Sequence, residues 1–334
     1  MLIPHDFSYA RQRHQETILR MPNVVGVGVG NKEVRGQRTR QMTVTALVRK
    51  KVPEAGLRPE DVIPKEVGGL PTDVIEVGDL RALQSRTARL RPAPGGVSVG
   101  HYQVTAGTLG CLVRDRTTGR RLILSNNHVL ANSNDARVGD AILQPGAIDG
   151  GRDPADTIAE LERFVAVQFL QGPATCGVAL GAVALGNALA GVLGSKHRLM
   201  AYRYDSQAVN QMDAAVARPL EEAAVSNEIL DIGELGGTAP AGLGMRVRKS
   251  GRSSGLTSGE ITVLEATVTV GYGEKTARFE GQIISGPMSE PGDSGSVLVA
   301  ADSLLAVGLL FAGSQQATIY NPIQAVLTAL DVAL

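Results

Sequence analysis

Residues 23–30, NVVGVGVG, alternate apolar side chains with glycine, the period-two pattern of a half-buried strand. Residues 41–48, QMTVTALV, carry the β-branched side chains that suit a partner strand. The charged segment NKEVRGQRTR joins the two as a turn, residues 5–20 read as a helix before them, and Asp73–Val77 reads as a third strand. Together these elements predict a small N-terminal α/β accessory domain over residues 1–83. The run QSRTARLRPAPGG, residues 84–96, is polar, basic and rich in Pro and Gly, as expected of a linker.

From Val97 onward the pattern changes to short β-rich runs between glycine-containing turns: GTLGCLVRD, RRLILSNNHVL, EITVLEATVTVGYG, GSVLVAAD and AVGLLFAG. Strands at this spacing predict a mostly β sandwich or barrel over residues 97–334. Two helical signals interrupt it. Residues 153–200 read as a helical insertion starting at Asp153-Pro154, and NPIQAVLTALDVAL reads as a closing helix.

Composition narrows the function classes. Among 334 residues, 33 Lys+Arg balance 33 Asp+Glu, so the basic surplus of a dedicated nucleic-acid binder is missing. Aromatics are 3% with no Trp, which leaves an aliphatic core and few stacking platforms for bases. Cys111 and Cys176 are too few for a disulfide framework or a thiolate metal site, and read as free thiols in a reducing compartment. The N-terminus has no apolar signal-peptide region, and 176–194, although apolar, consists mostly of small residues and is not read as a membrane span. The expectation is a soluble, cytoplasmic protein.

The chemistry concentrates in three places. In SEPGDSGSVLV, Ser294 lies between glycines after a Gly-Asp pair and before an apolar strand, a turn built to expose a hydroxyl and converge backbone N–H groups. In LILSNNHVLA, His128 follows a strand-like run; read alone, a histidine there is more often structural than a base. In NQMDAAVARPL, Asp213 precedes a small apolar strand and, read alone, is one of many acids.

The chain order His, Asp, Ser and these strand-edge contexts resemble the chymotrypsin-like (trypsin-fold, S1-type) serine peptidases. Nearly the full length also resembles a bacterial group related to the plant narrow-leaf-type serine proteases, in which a domain like NVVGVGVGNK…VRKKVPEAGLRPEDVIPKEVGGLPTDVIEVG precedes GHYQVTAGTLGCLV. The resemblance implies a double β-barrel and a serine endopeptidase. Ser294 would be the nucleophile, His128 the general base, Asp213 the residue orienting the imidazole, and the N–H groups of Gly292 and Ser294 the oxyanion hole. The segment KSGRSSGLTSGEI, 249–261, matches a strand-turn of the second barrel and is assigned a structural role.

Three departures from the family pattern stand out. The separation of His128 and Asp213 exceeds that of simple family members, which places the 176–194 segment and KHRLMAYRYD in an insertion, read as a helical excursion, a flap or an oligomer contact. Position 129 is Val, so the disulfide that brackets the histidine in extracellular members is missing, consistent with a reducing compartment. No Ile or Val start follows Arg91, so activation by cleavage is not expected, and what orders Asp293 is not readable. The family position at the base of the substrate pocket is Met288, with walls expected from Leu310, Phe311, Ala312 and Gly313; this implies an apolar or small P1 residue.

Other signals carry less. GVGVGNK lacks the spacing of a phosphate-binding loop and reads as a hairpin. The histidines at 5, 14, 101, 128 and 197 show no ligand spacing, so no metal and no cofactor are expected, and His101 reads as a core or capping residue. The basic stretches read as solvated faces. The expected partner is a protein or peptide substrate, with homo-oligomerisation through the N-terminal domain or the 176–194 segment as a further expectation. The competing function class is a latent or inactive peptidase fold that binds peptides or builds an assembly.

Overall fold

A computed structural model of the chain describes residues 3–34, 37–78, 80 and 85–334. It separates into two compact units, Met1–Gln84 and Ser85–Leu334. The expected domain end at Leu83 and linker start at Gln84 lie outside the described residues.

In the first unit, helix α1 (His5–Leu19) precedes a four-stranded sheet. The strand Val24–Val34 pairs antiparallel with Gln37–Val48, which runs parallel to Leu70–Glu76. The last strand begins earlier and ends a residue sooner than the sequence pattern placed it. GVGVGNK lies within the first strand, its Asn31 opposite Met42, so its glycines serve sheet pairing. Ala10 and Ile18 of α1 bury against Val44, Ala46 and Val67.

The second unit is mostly β. Its eight-stranded sheet includes Cys111–Asp115, Arg121–Ser125 and Ala215–Pro219 as neighbours. Both faces of these strands are buried. Val113, Leu122, Leu124 and Val216 join one core cluster, while Leu112, Ile123, Ala215 and Ala217 join another. That is why CLV, LIL and AAVA read as continuous apolar runs rather than alternating ones.

The other large sheet runs through Arg246–Gly251, Gly255–Tyr272, Lys275–Ser285, Val297–Ala300, Leu305–Gly313 and Thr318–Pro322. An additional pairing of Leu305–Gly313 with Thr318–Pro322 closes six strands into a barrel. Val247, Ile261, Ile283, Leu298, Val307 and Tyr320 fill it. Helix α2 (Asn127–Leu130) follows the strand Arg121–Ser125.

Two expectations are corrected. Residues 153–200 are not continuously helical: Thr157–Phe164 is a strand, paired with Ala141–Leu143 and Ala215–Pro219. Asp153-Pro154 opens a turn instead of a helix, with the Asp156 N–H bonded to the Arg152 carbonyl and the Thr157 hydroxyl to the Asp153 carboxylate. The vacant sheet position beside Ala215–Pro219 buries Ile158, Ala159 and Leu161 and overrides the local helical bias. Only helix α3 (Gly177–Val192) is helical there, between the paired strands Gln171–Pro173 and Tyr202–Tyr204 in the chain. Residues 85–96 are also more than a spacer: Ala93–Gly95 forms a strand parallel to Val225–Ile229, and Ala93 is fully buried. The chain closes as expected with a helix, α4 (Ile323–Ala329), then adds a short strand, Val332–Ala333, against Cys111–Asp115.

Candidate active site

His128 sits on α2, a single turn whose position is fixed by the two asparagines before it. The Asn126 side-chain amide donates to the Asp213 carbonyl at 2.7 Å, and the Asn127 amide donates to the Val165 carbonyl at 2.7 Å. Asn127 also bonds Asn134, within a segment where Asn132, Ser133 and Asn134 all adopt positive φ. The Ser-Asn-Asn that precedes His128 therefore staples the turn to its surroundings, a role not assigned from sequence.

His128 Nδ1 lies 2.6 Å from Asp213 Oδ2, and the His128 backbone N–H donates to Asp213 Oδ1 at 3.2 Å. The imidazole is 22% exposed while the Asp213 side chain is fully buried. Burial disfavours ionisation of Asp213, but the adjacent His128 and the hydrogen bonds from His128 and Tyr272 outweigh it and hold the carboxyl below the usual carboxylate range. Asp213 is thus no solvated loop acid. Its N–H is fixed by Asn321 Oδ1 at 3.0 Å.

Ser294 stands on the turn that enters the strand Val297–Ala300. Its carbonyl accepts the Thr108 N–H at 2.7 Å, seating the turn against the strand Gly107–Thr108. Gly295, at φ 97°, is required there, because a Cβ would lie 2.1 Å from Ser125 Oγ and 2.3 Å from the Thr108 carbonyl oxygen. Gly292, at φ 101°, has its carbonyl held by the Thr108 hydroxyl at 2.9 Å. Among the described residues, neither the Gly292 nor the Ser294 N–H donates a hydrogen bond, and the Ser294 hydroxyl makes none.

What orders Asp293, unreadable from sequence, is Lys249. The two side chains are fully buried, with Nζ 2.7 Å from Oδ2. The N–H groups of Ser253, Ser254 and Glu290 donate to the same carboxylate at 2.8, 3.1 and 2.9 Å. Burial pulls the Lys249 ammonium down while Asp293 opposes it; the Asp293 carboxyl, against the cost of burial, is held low by Lys249, the Ser254 hydroxyl and the Glu290 N–H. KSGRSSG thus does a structural job with direct bearing on Ser294, since it fixes the residue beside the nucleophile candidate.

A cleft of about 570 Å³ opens beside Ser294, lined by Leu310, Ala312 and Gly313 together with Ser289, Glu290, Pro291, Ser314 and Gln315. Strand alternation turns Phe311 away from it, into a cluster with Phe279 at 4.7 Å. Met288 also lies elsewhere: it is buried in the barrel core, its sulfur accepting from the Ser285 hydroxyl at 3.3 Å. Met288 and Phe311 are therefore corrected from lining residues to supports behind the cleft wall. His101 is buried and bonded to Asp140 at 3.1 Å, the core role expected of it. Cys111 and Cys176 are both free, the first buried and the second exposed. Among the described residues no cluster of His, Cys, Asp and Glu could hold a metal, and no helix is long and apolar enough to cross a membrane.

No protein-family profile matches the chain. Over 81 residues it is 40% identical to Serine protease 2 of Streptomyces fradiae, covering 24% of this chain and 44% of that one. Over 92 residues it is 38% identical to Streptogrisin-A of Streptomyces griseus, covering 26% and 29%. The chain is similar to bacterial serine proteases. It spans less than half the length of these curated relatives. Among solved structures, the Nocardiopsis protease aligns with TM-score 0.47 and 17% identity over 72% of this chain and 99% of that one. The Cellulomonas bogoriensis chymotrypsin aligns with TM-score 0.44 and 20% identity, covering 72% and 97%.

Proposed function

We propose that the chain is a serine endopeptidase that cleaves peptide bonds through an acyl-enzyme on Ser294. The observation that carries this reading is the 2.6 Å bond between His128 Nδ1 and a fully buried Asp213, set in the same unit as a Gly-Asp-Ser-Gly turn with two uncommitted N–H groups. In the proposed cycle His128 Nε2 accepts the Ser294 proton as Oγ attacks the scissile carbonyl, then delivers it to the leaving amine. Asp213 holds the tautomer and stabilises the imidazolium. The N–H groups of Gly292 and Ser294 receive the developing oxyanion, and Lys249, through Asp293, keeps that turn in shape. The serine–histidine bond forms as substrate fills the cleft, because catalytic hydrogen bonds are often long or unmade without substrate. The cleft wall of Leu310, Ala312 and Gly313 favours a small or apolar P1 residue. The free thiols support a reducing, cytoplasmic setting.

Intact-mass labelling with a fluorophosphonate tests the reading. One adduct is expected on the wild type and none on Ser294→Ala or His128→Ala; a folded wild type that stays unlabelled refutes it. The second reading, a latent peptidase fold, would be supported by a folded wild type that stays unlabelled. Homo-oligomerisation is proposed through α3, none of whose residues is buried although Val178, Leu185, Leu189 and Val192 are exposed. Light scattering on the full chain tests it, and a monomer argues against it.

A further inference from the structure

Aromatic residues are scarce in this chain, yet four of them gather behind the histidine. Tyr272 meets the His128 ring edge-on at 5.7 Å, Phe169 at 5.6 Å and Phe279 at 6.2 Å, and Phe279 packs on Phe311. Tyr272 ends the long strand Gly255–Tyr272, opposite Lys275 at the hairpin tip. The tip is anchored: the Leu170 N–H donates to the Thr276 carbonyl at 2.7 Å, and the Lys275 ammonium lies 5.0 Å over the Phe169 ring. From there the Tyr272 hydroxyl donates to Asp213 Oδ2 at 2.7 Å, the same oxygen that receives His128 Nδ1–H.

We infer that Tyr272 is a positioning residue for the proposed reaction, its hydroxyl fixing the rotamer of Asp213 and moderating how strongly that carboxylate draws on His128. This deepens the peptidase reading and rests on it. Each polar atom of Asp213 then has a defined partner: its N–H on Asn321, its carbonyl on Asn126, Oδ1 on the His128 N–H, and Oδ2 shared between imidazole and phenol. Burial, then the neighbouring Asp213 charge, pushes the phenol up, so Tyr272 stays a protonated donor throughout the working range. Sharing Oδ2 has a consequence of definite sign. Without the phenol the carboxylate draws more strongly on the His128 Nδ1 proton, and Asp213 loses a hydrogen bond that fixes its rotamer.

Other charged groups stand on the packed elements. They are Lys275 with Asp135 at 3.7 Å, Arg278 paired with Glu280 on the hairpin, and His101 bonded to Asp140 on the strand that packs on α2. They are common to wild type and variant, so the difference isolates Tyr272.

The test compares wild type with Tyr272→Phe in two measurements. In proton NMR of the free protein, the resonance of the His128 Nδ1 proton moves further downfield in the variant, as Oδ2 loses its competing donor. In fluorophosphonate labelling, the rate at neutral pH falls about tenfold. A purely structural tyrosine would lower the melting temperature and leave both signatures in place. An unmoved Nδ1 resonance and an unchanged labelling rate in a folded variant overturn the inference. Should Tyr272→Phe not fold, 3-fluorotyrosine placed at 272 keeps the ring and strengthens the donor, and the Nδ1 resonance moves upfield instead; no shift overturns the inference. A wild type that never labels at Ser294 sinks the peptidase reading, while the NMR arm still decides the role of Tyr272.

Discussion

The two halves of the site are held in different ways. The His128–Asp213 half is finished: its bond is made, and the polar atoms of Asp213 are each claimed by a neighbour. In the Ser294 half, the frame is rigid and the reacting groups are idle. Asp293, Lys249, Thr108 and the two positive-φ glycines fix the turn, but the serine hydroxyl and the N–H groups of Gly292 and Ser294 have no partner among the described residues. The difference is what the proposed reaction would require. A base has to be oriented before substrate arrives, whereas hydrogen-bond donors aimed at a transition state are useful only while unspent.

Substitutions can separate the halves. The largest effect is expected from Ser294→Ala or His128→Ala, each costing about 10⁶-fold in turnover of a peptide substrate, measured by steady-state kinetics. Asp213→Asn should cost about 10⁴-fold through the wrong histidine tautomer. It should leave the Ser294 turn intact, which a crystal structure of the variant would check. Lys249→Met should do the reverse. Stranding the buried Asp293 carboxylate destabilises the fold by about 3–5 kcal/mol in urea unfolding and abolishes labelling at Ser294, while the downfield Nδ1 proton of His128 persists in the folded fraction. Loss of that resonance together with labelling would show the two halves to be a single unit.

Smaller effects lie outside the site. The Asp115 carboxyl is held at about 2, chiefly by the Thr118 backbone and hydroxyl and then by Arg163, against an ordinary value of 3.8. Its folded value is depressed, so its contribution is complete above pH 3.8 and is lost as pH falls toward 2. Asp115→Asn should therefore lower stability at neutral pH and flatten the acid unfolding curve between pH 3.8 and 2, so that variant and wild type converge near pH 2. The least perturbing experiment is thiol labelling. Burial pushes the Cys111 thiol up to about 12, whereas Cys176 is exposed and lowered by the Ala179 and Val178 N–H groups at the start of α3. A maleimide should therefore modify Cys176 alone in the native protein, and modification of Cys111 would contradict its placement in the core.

Much of the fold was legible because burial imposes periodicity. The strands around Leu122–Leu124, Val297–Val299 and Leu309–Leu310 stand where apolar runs placed them, and the turn glycines around Ser294 marked a backbone only glycine can adopt. The Ser294 turn also announced itself through local context, whereas His128 and Asp213, unremarkable alone, were singled out by the resemblance that their chain order with Ser294 carries. Thr157–Phe164 did not announce itself, because a helix-like string with an Asp-Pro start becomes a strand only when a neighbouring edge at Ala215–Pro219 is open to pair with it. Phe311 was read toward the cleft for a similar reason, since which face of a strand looks at the cleft depends on a register the one-dimensional string does not contain, and Met288, in the loop after Lys275–Ser285, was placed only by its distance before Ser294.

By itself, then, the sequence determined the residue types at each reactive position and the local backbone that presents them, since both depend on near neighbours in the chain. Only the tertiary structure decided the partners. Lys249 is 44 residues from Asp293, and Tyr272 is 59 from Asp213. Such pairs arise when sheets close and exclude water, and a buried charge then takes whichever complementary group the packing delivers.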